Sequence, residues 1–161
     1  MSESAPPRLS ATILLLRDDP DLQVLMGKRH YEIDFASGAL VFPGGKANDE
    51  DSDPAWSDWT DGDFSGTEQA ARISAIREAY EEAGIILARA KSARGAGATL
   101  VGSDVAEALN PMRGPVDRRE QSFLALIQQH DLVLALDALV HFGHWITPTM
   151  MPKRFDTHFY L

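Results

Sequence analysis

The chain has 161 residues, 44% hydrophobic and 24% charged, the size and make-up of one globular domain with its own core rather than a disordered or membrane-embedded chain. A formal net charge of −9 argues against a broad surface for a nucleic acid polymer, since phosphate backbones are held by clustered Lys and Arg, and leaves a small anionic ligand dependent on a metal ion or local basic groups. With no cysteine, a disulfide framework, thiolate catalysis and Cys-based zinc sites are excluded. The longest early apolar run, residues 13–16, is too short for a signal or membrane segment, so the expectation is a cytoplasmic protein with no membrane partner.

Residues 1–8 are polar and contain two prolines, which reads as a disordered lead-in to a single domain over 9–161. Residues 11–16 and 22–26 are apolar runs separated by Asp18-Asp19-Pro20-Asp21, the pattern of a β-hairpin. A third run, residues 39–42, is stopped by Pro43-Gly44-Gly45, read as a sharp turn. Residues 49–66 are acidic, without periodicity, and carry Trp56 and Trp59. They read as an insertion whose tryptophans serve packing or a homodimer contact more readily than a ligand. Ser65-Gly66-Thr67-Glu68 matches a capping box and opens a helix running to Gly84, with Ile73, Ile76, Tyr80 and Ala83 as one buried stripe. Residues 91–98 read as a flexible connection, 104–109 as a short helix, 117–130 as a longer one, 132–145 as mainly extended, and 154–161 as a strand. Strands alternating with helices predict an α/β domain.

Within the long helix, a turn of about 100° per residue sets Glu78, Glu81 and Glu82 on one side and Ile73, Ile76 and Tyr80 on another. Like charges at Glu78 and Glu82 weaken an isolated helix, and a hard divalent ion such as Mg²⁺ or Mn²⁺, which prefers carboxylate oxygen and phosphate, relieves that repulsion. By itself the pattern is more often that of a solvated acidic face in which Arg77 neutralises Glu81. The five histidines (His30, His130, His141, His144 and His158) show no pairing beyond His141 and His144, which on a regular strand face opposite sides.

What separates the two readings is the glycine turn upstream of the same helix. Arg77-Glu78-Ala79-Tyr80-Glu81-Glu82-Ala83-Gly84-Ile85 resembles the second half of the Nudix box, which runs Gly, five residues, Glu, seven residues, Arg-Glu, aliphatic, any, Glu-Glu, any, Gly, aliphatic. The first half departs. Counting back from Arg77 places Gln69 where the box has Glu and Asp63 where it has Gly; Gly45 takes the glycine's part at a distance of 32 residues instead of 14. Leu40-Val41-Phe42-Pro43-Gly44-Gly45, Trp145-Ile146-Thr147-Pro148 and Arg154-Phe155-Asp156-Thr157 are similar to a Nudix subgroup like the mammalian peroxisomal coenzyme A diphosphatases, which carries extra residues at this point.

The resemblance implies a Nudix-type α/β/α sandwich with a mixed β-sheet. It implies metal-dependent hydrolysis of a diphosphate linkage in a nucleoside diphosphate derivative, with coenzyme A or acyl-CoA as a candidate substrate. Glu78, Glu81 and Glu82 are then the ligands of Mg²⁺ or Mn²⁺. Arg77 orients Glu81 or its neighbours, and Gly44, Gly45, Arg29 and Arg154 lie against the substrate, with Lys28 and Lys153 as weaker candidates. Gln69 puts the number of ions in question, with Glu68 as a substitute ligand, and leaves open a non-catalytic nucleotide-binding module. Because the family continues past the position of Leu161, the further expectation is a domain lacking its C-terminal part.

Overall fold

The structure, a computed structural model, describes residues 5–28 and 39–161. In chain order the strands Arg8–Ile13 (β1), Leu16–Asp18 (β2), Leu22–Val24 (β3), Gly27–Lys28 (β4), Leu40–Val41 (β5) and Gly44–Lys46 (β6) come first. Two 3-10 turns, Asp49–Ser52 and Pro54–Asp58, lead through Thr60–Asp61 (β7) to the long helix Gly66–Ala83 (α1). Then follow Ala88–Ala90 (β8), Ser103–Leu109 (α2), Arg113–Asp117 (α3), Phe123–Gln129 (α4), Leu132–Ala135 (β9), His141–Ile146 (β10) and Phe155–Tyr160 (β11).

The α/β class holds, with two principal mixed sheets in place of one. The larger has the order β10-β11-β1-β6, with β1 parallel to β11 and antiparallel to β6; the smaller has the order β7-β9-β8, with β7 parallel and β8 antiparallel to β9. Helix α1 packs on β1, β6 and β11, and its other sides meet α3, the 3-10 turn Asp49–Ser52 and the 3-10 turn Leu136–Ala138. It is therefore buried all round from Ala70 to Tyr80, polar side chains included, and the single apolar stripe read from its periodicity understates what it touches. Among the described residues no helix is long and apolar enough to cross a membrane.

Several local expectations are corrected. The run at 11–16 divides: its first part belongs to β1 in the large sheet, and only Leu16 onward joins the β2–β3 hairpin. Gly44 and Gly45 are not a turn but strand β6, facing Thr12 and Ala11. Ser65 caps α1 without a side-chain bond and Glu68 is drawn to Arg72 four residues on (3.0 Å), so the capping box does not form. Gly84 does end the helix in the left-handed region (φ 70°), where its N–H reaches Tyr80 O at 2.9 Å.

The helix expected over 117–130 is two, α3 and α4. Arg119 turns to positive φ (59°) between them, and Ser122 caps α4 by accepting from Ala125 N–H. Residues 91–98 are anchored, not loose: the Arg94 side chain and Gly95 N–H both bond Asp61. The extended stretch 132–145 is broken by the turn Leu136–Ala138. Trp56 is fully buried against Phe123, with ring centroids 5.8 Å apart, and Lys91 Nζ lies 3.2 Å over the Trp59 ring, so the insertion packs into the core.

Candidate active site

Helix α1 is long because residues 66–83 contain no proline, and its only glycine is the first residue, Gly66. Its final turn is held by Arg113, whose guanidinium donates to Tyr80 O and Glu81 O (3.1 Å each), a cation at the negative end of the helix dipole. That anchored turn carries Glu81 and Glu82, the turn before it Arg77 and Glu78, and β6 runs beside them.

Arg77 is the centre of the cluster and is almost fully buried. Its Nε donates to Asp51 Oδ1 (3.1 Å) and its Nη2 to Asp51 Oδ2 (3.1 Å), a bidentate pair. Its Nη1 meets Glu78 Oε1 (2.9 Å) and both oxygens of Glu81 (3.0 and 2.9 Å), while Nη2 also reaches Lys46 O (2.9 Å). Glu82 is exposed and accepts from Gly44 N–H at 3.2 Å. The acidic face is thus not solvated throughout: Glu78 and Glu81 turn inward onto Arg77, and only Glu82 faces water.

Gly44 and Gly45 belong to this cluster through close approach. A Cβ on Gly45 would lie 2.5 Å from Glu78 Oε1, and one on Gly44 would lie 2.5 Å from Ala11 O, so no larger residue lets α1 and β1 come this near β6. The electrostatics follow from one guanidinium facing three carboxylates in a poorly hydrated place. Burial pushes the Glu78 carboxyl up to about 7 against the pull of Arg77, with Glu81 and Glu82 adding to the rise. Glu81 and Asp51 are raised chiefly by burial as well, again opposed by Arg77. Arg77 itself is driven further above its already high value, its carboxylate neighbours, Asp51 first, outweighing burial.

Asp51 is the residue that sequence reasoning missed. The signal was present: counted forward from Gly45, five residues lead to Asp51, the place of the box's first acid, so the extra 18 residues fall after it rather than before it. Counting backward from Arg77 lands on Gln69, which lies in the first turns of α1, nine residues and about 13 Å of helix from Glu78. Glu68 is occupied with Arg72 and is no substitute ligand in this arrangement.

Of the other substrate-binding candidates, Arg154 and Lys153 are described. Arg154 donates from Nε to Thr147 O (3.0 Å) and from Nη1 to Ala5 O (3.1 Å), tying the β10–β11 connection to the N-terminal segment. Lys153 is exposed, and Arg29 lies outside the described residues. A cleft of about 270 Å³ opens beside Arg77, lined by Asn48, Glu50, Arg119, Gln121 and Phe123 among others.

Residues 58–161 match the family model of the NUDT19 Nudix domain. The chain is 28% identical over 181 residues to the acyl-coenzyme A diphosphatase NUDT19 of Xenopus laevis, covering 88% of this chain and 47% of that protein. To the human protein of that name it is 35% identical over 99 residues, covering 57% and 26%. The crystal structure of a Nudix hydrolase from Alicyclobacillus acidocaldarius is similar with a TM-score of 0.75 at 25% identity, covering 96% of this chain and 68% of that one. The chain spans less than half the length of these curated relatives. With the family model matching well over half of its residues, this chain belongs to the NUDT19 Nudix domain family, within the Nudix hydrolases.

Proposed function

We propose that this chain hydrolyses a diphosphate linkage in a nucleoside diphosphate derivative by attack of water on phosphorus, using Mg²⁺ or Mn²⁺, with coenzyme A or an acyl-CoA as substrate. The observation that carries the reading is the carboxylate cluster assembled around Arg77 against a glycine strand. The name of the relatives, acyl-coenzyme A diphosphatase, supports the substrate class.

The donor set suits a hard divalent ion. Three carboxylates, Asp51, Glu78 and Glu81, share one guanidinium, Glu82 lies beside them, and burial lifts Glu78 to about 7. Glu78, Glu81 and Glu82 would hold the ion, all through oxygen. Their oxygens do not all lie within 4.8 Å of one another, so the ion would be held by one or two of them at a time, as Mg²⁺ commonly is, with water and substrate phosphate at its other positions. Such an ion polarises phosphorus, lowers the pKa of an attacking water and neutralises charge on the departing phosphate.

The side chains of this chain do the positioning. Arg77 is turned inward, so its part is to fix Glu78 and Glu81 and to bind α1 to the 3-10 turn Asp49–Ser52 through Asp51. Gly44 N–H steadies Glu82 at the exposed edge. A non-catalytic nucleotide-binding module was favoured only by Gln69 standing in for the acid of the box. With Asp51 in that place, nothing observed prefers it.

The test is a metal-loaded panel of diphosphate compounds with products identified by mass. Glu82→Gln is expected to lower turnover about a hundredfold or more, equivalent to roughly 3 kcal/mol of barrier. Turnover that survives a chelator, or an unimpaired variant, overturns the mechanism. Clear turnover of a sugar nucleotide without any phosphopantetheine product from the thioesters removes the coenzyme A assignment alone.

A further inference from the structure

A second group of metal-type side chains lies on the far half of the large sheet. Strand β10 carries a bulge: His141 registers with Tyr160, Gly143 with Phe159 and His144 with His158, leaving Phe142 unopposed. The extra residue shifts the alternation by one, so His141 and His144 come to the same face. His158 stands between them. Its ring stacks on that of His144 with centroids 4.4 Å apart, and its Nδ1 lies 3.2 Å from His141 Nε2. Asp156, two residues earlier on β11 and so on the same face, bonds His144 Nε2 and lies 3.7 Å from His158 Nε2. Among the described residues, His144, Asp156 and His158 are the set whose donor atoms all fall within 4.8 Å of one another.

We propose that His144 Nε2, Asp156 Oδ1 and His158 Nε2 form a binding site for a divalent transition-metal ion of the Zn²⁺ class, separate from the glutamate cluster of α1.

Donor chemistry sets the class of ion. Two imidazoles and one carboxylate suit Zn²⁺ and its first-row neighbours, whereas Mg²⁺ and Ca²⁺ prefer all-oxygen sets. Three protein ligands leave a position open, as zinc sites with exchangeable water do. Bonds of about 2.0–2.2 Å need donor atoms on the order of 3.3 Å apart, close to the His158–Asp156 separation. His144 must draw back slightly from Asp156, and with 42% of its side chain exposed it has room. His141 adds the outer support such sites use. With Nδ1–H of His158 donated to His141 Nε2, the Nε2 lone pair of His158 is directed towards Asp156 and His144.

The position keeps the two sites apart. His158 registers with Ala11, and Ala11 with Gly45, the residue beneath Glu78, so two strand spacings, about 10 Å, separate the rows. Ala11 between them is fully buried, and one ion cannot serve both. An ion held here joins the edge strand β10 to β11.

The decisive measurement is Zn²⁺ titration by calorimetry in excess Mg²⁺, with Co²⁺ absorption reporting imidazole ligation in the unaltered chain. One Zn²⁺ at micromolar affinity or tighter is expected. Binding should weaken at least tenfold in His144→Ala and in His158→Gln, and by about 10–100-fold in His141→Ala. It should be unchanged in Glu82→Gln and in His130→Ala, an exposed histidine elsewhere. Circular dichroism checks that each variant is folded. The site is overturned by no Zn²⁺ binding and no ligand-field Co²⁺ spectrum in the unaltered chain, by equal affinity in His144→Ala, or by binding lost in Glu82→Gln instead.

Discussion

Asp51 and Gln69 offer the sharpest contrast between single residues. Asp51 is 1% exposed and holds Arg77 bidentately, so Asp51→Ala leaves a buried guanidinium short of its main partner. A loss of about 3–5 kcal/mol in chemical denaturation is expected, together with a fall in turnover as Arg77 redistributes over Glu78 and Glu81. Gln69→Glu, which restores the family residue by backward counting, should alter stability and turnover little, within about 0.5 kcal/mol. Parity between the two variants would refute the placement of the insertion after Asp51. Gly45→Ala puts a Cβ against Glu78 and is expected to cost about 1–3 kcal/mol and to impair Mg²⁺ binding, read by calorimetry.

Glu78 also sets a pH dependence. Its carboxyl is raised from 4.5 to about 7 in the folded chain, chiefly by burial, so the fold retains a proton that the unfolded chain releases. The stability this contributes is fully present below about pH 4.5 and is lost as pH rises through about 7, by at most roughly 3 kcal/mol. Urea midpoints should therefore fall between about pH 5 and pH 8 in chelator, and Mg²⁺ should flatten the decline. A midpoint that rises over this range contradicts the assignment.

For the elements, the lesson is how loops become part of the frame. Asp61, on the two-residue strand β7, receives Arg89 Nη1 (3.1 Å), Arg94 Nε (3.1 Å) and Gly95 N–H (2.9 Å), and so joins β7, β8 and the connection after β8. Burial pushes its carboxyl up, but the Gly95 N–H, Arg89 and Arg94 together hold it below the ordinary carboxylate range. Asp61→Ala leaves Arg89 paired with Asp137 and frees Arg94 Nε and the Gly95 N–H, and should lower stability by about 1–3 kcal/mol, with hydrogen exchange in 88–98 rising first. Protection there unchanged from the parent would show the clamp to be dispensable. None of this was legible locally, since residues 91–98 are small and glycine-containing and their anchor is some thirty positions earlier. Helix α1, in contrast, was readable from its periodicity and its terminal Gly84, both of which depend only on near neighbours.

Across the whole molecule, the acidic segment 49–66 does more than extend a loop. Its Trp56 fills the core beside Phe123, its Glu50 accepts from the Phe123 N–H at the start of α4 (2.9 Å), and its Asp51 secures helix α1. The site is therefore coupled to global stability, and a divalent ion that binds only the folded chain should stabilise it by about 2.7 kcal/mol at a hundred times the dissociation constant, seen as a melting temperature that rises with ion concentration. Glu82→Gln should blunt the Mg²⁺ response, and a full response in that variant would place the ion elsewhere.

By itself the sequence determined the α/β class, the long helix with its carboxylates, the strand ending the chain and the family resemblance, because periodicity and ordered motifs are properties of neighbouring residues. Only the tertiary structure decided that Gly44 and Gly45 are strand, that Glu78 and Glu81 turn inward, that Asp51 holds Arg77 and that a bulge gathers three histidines. Each of these depends on which distant segment packs against which, through close approach of backbones, burial of charge and strand register, and none of those is written in local spacing.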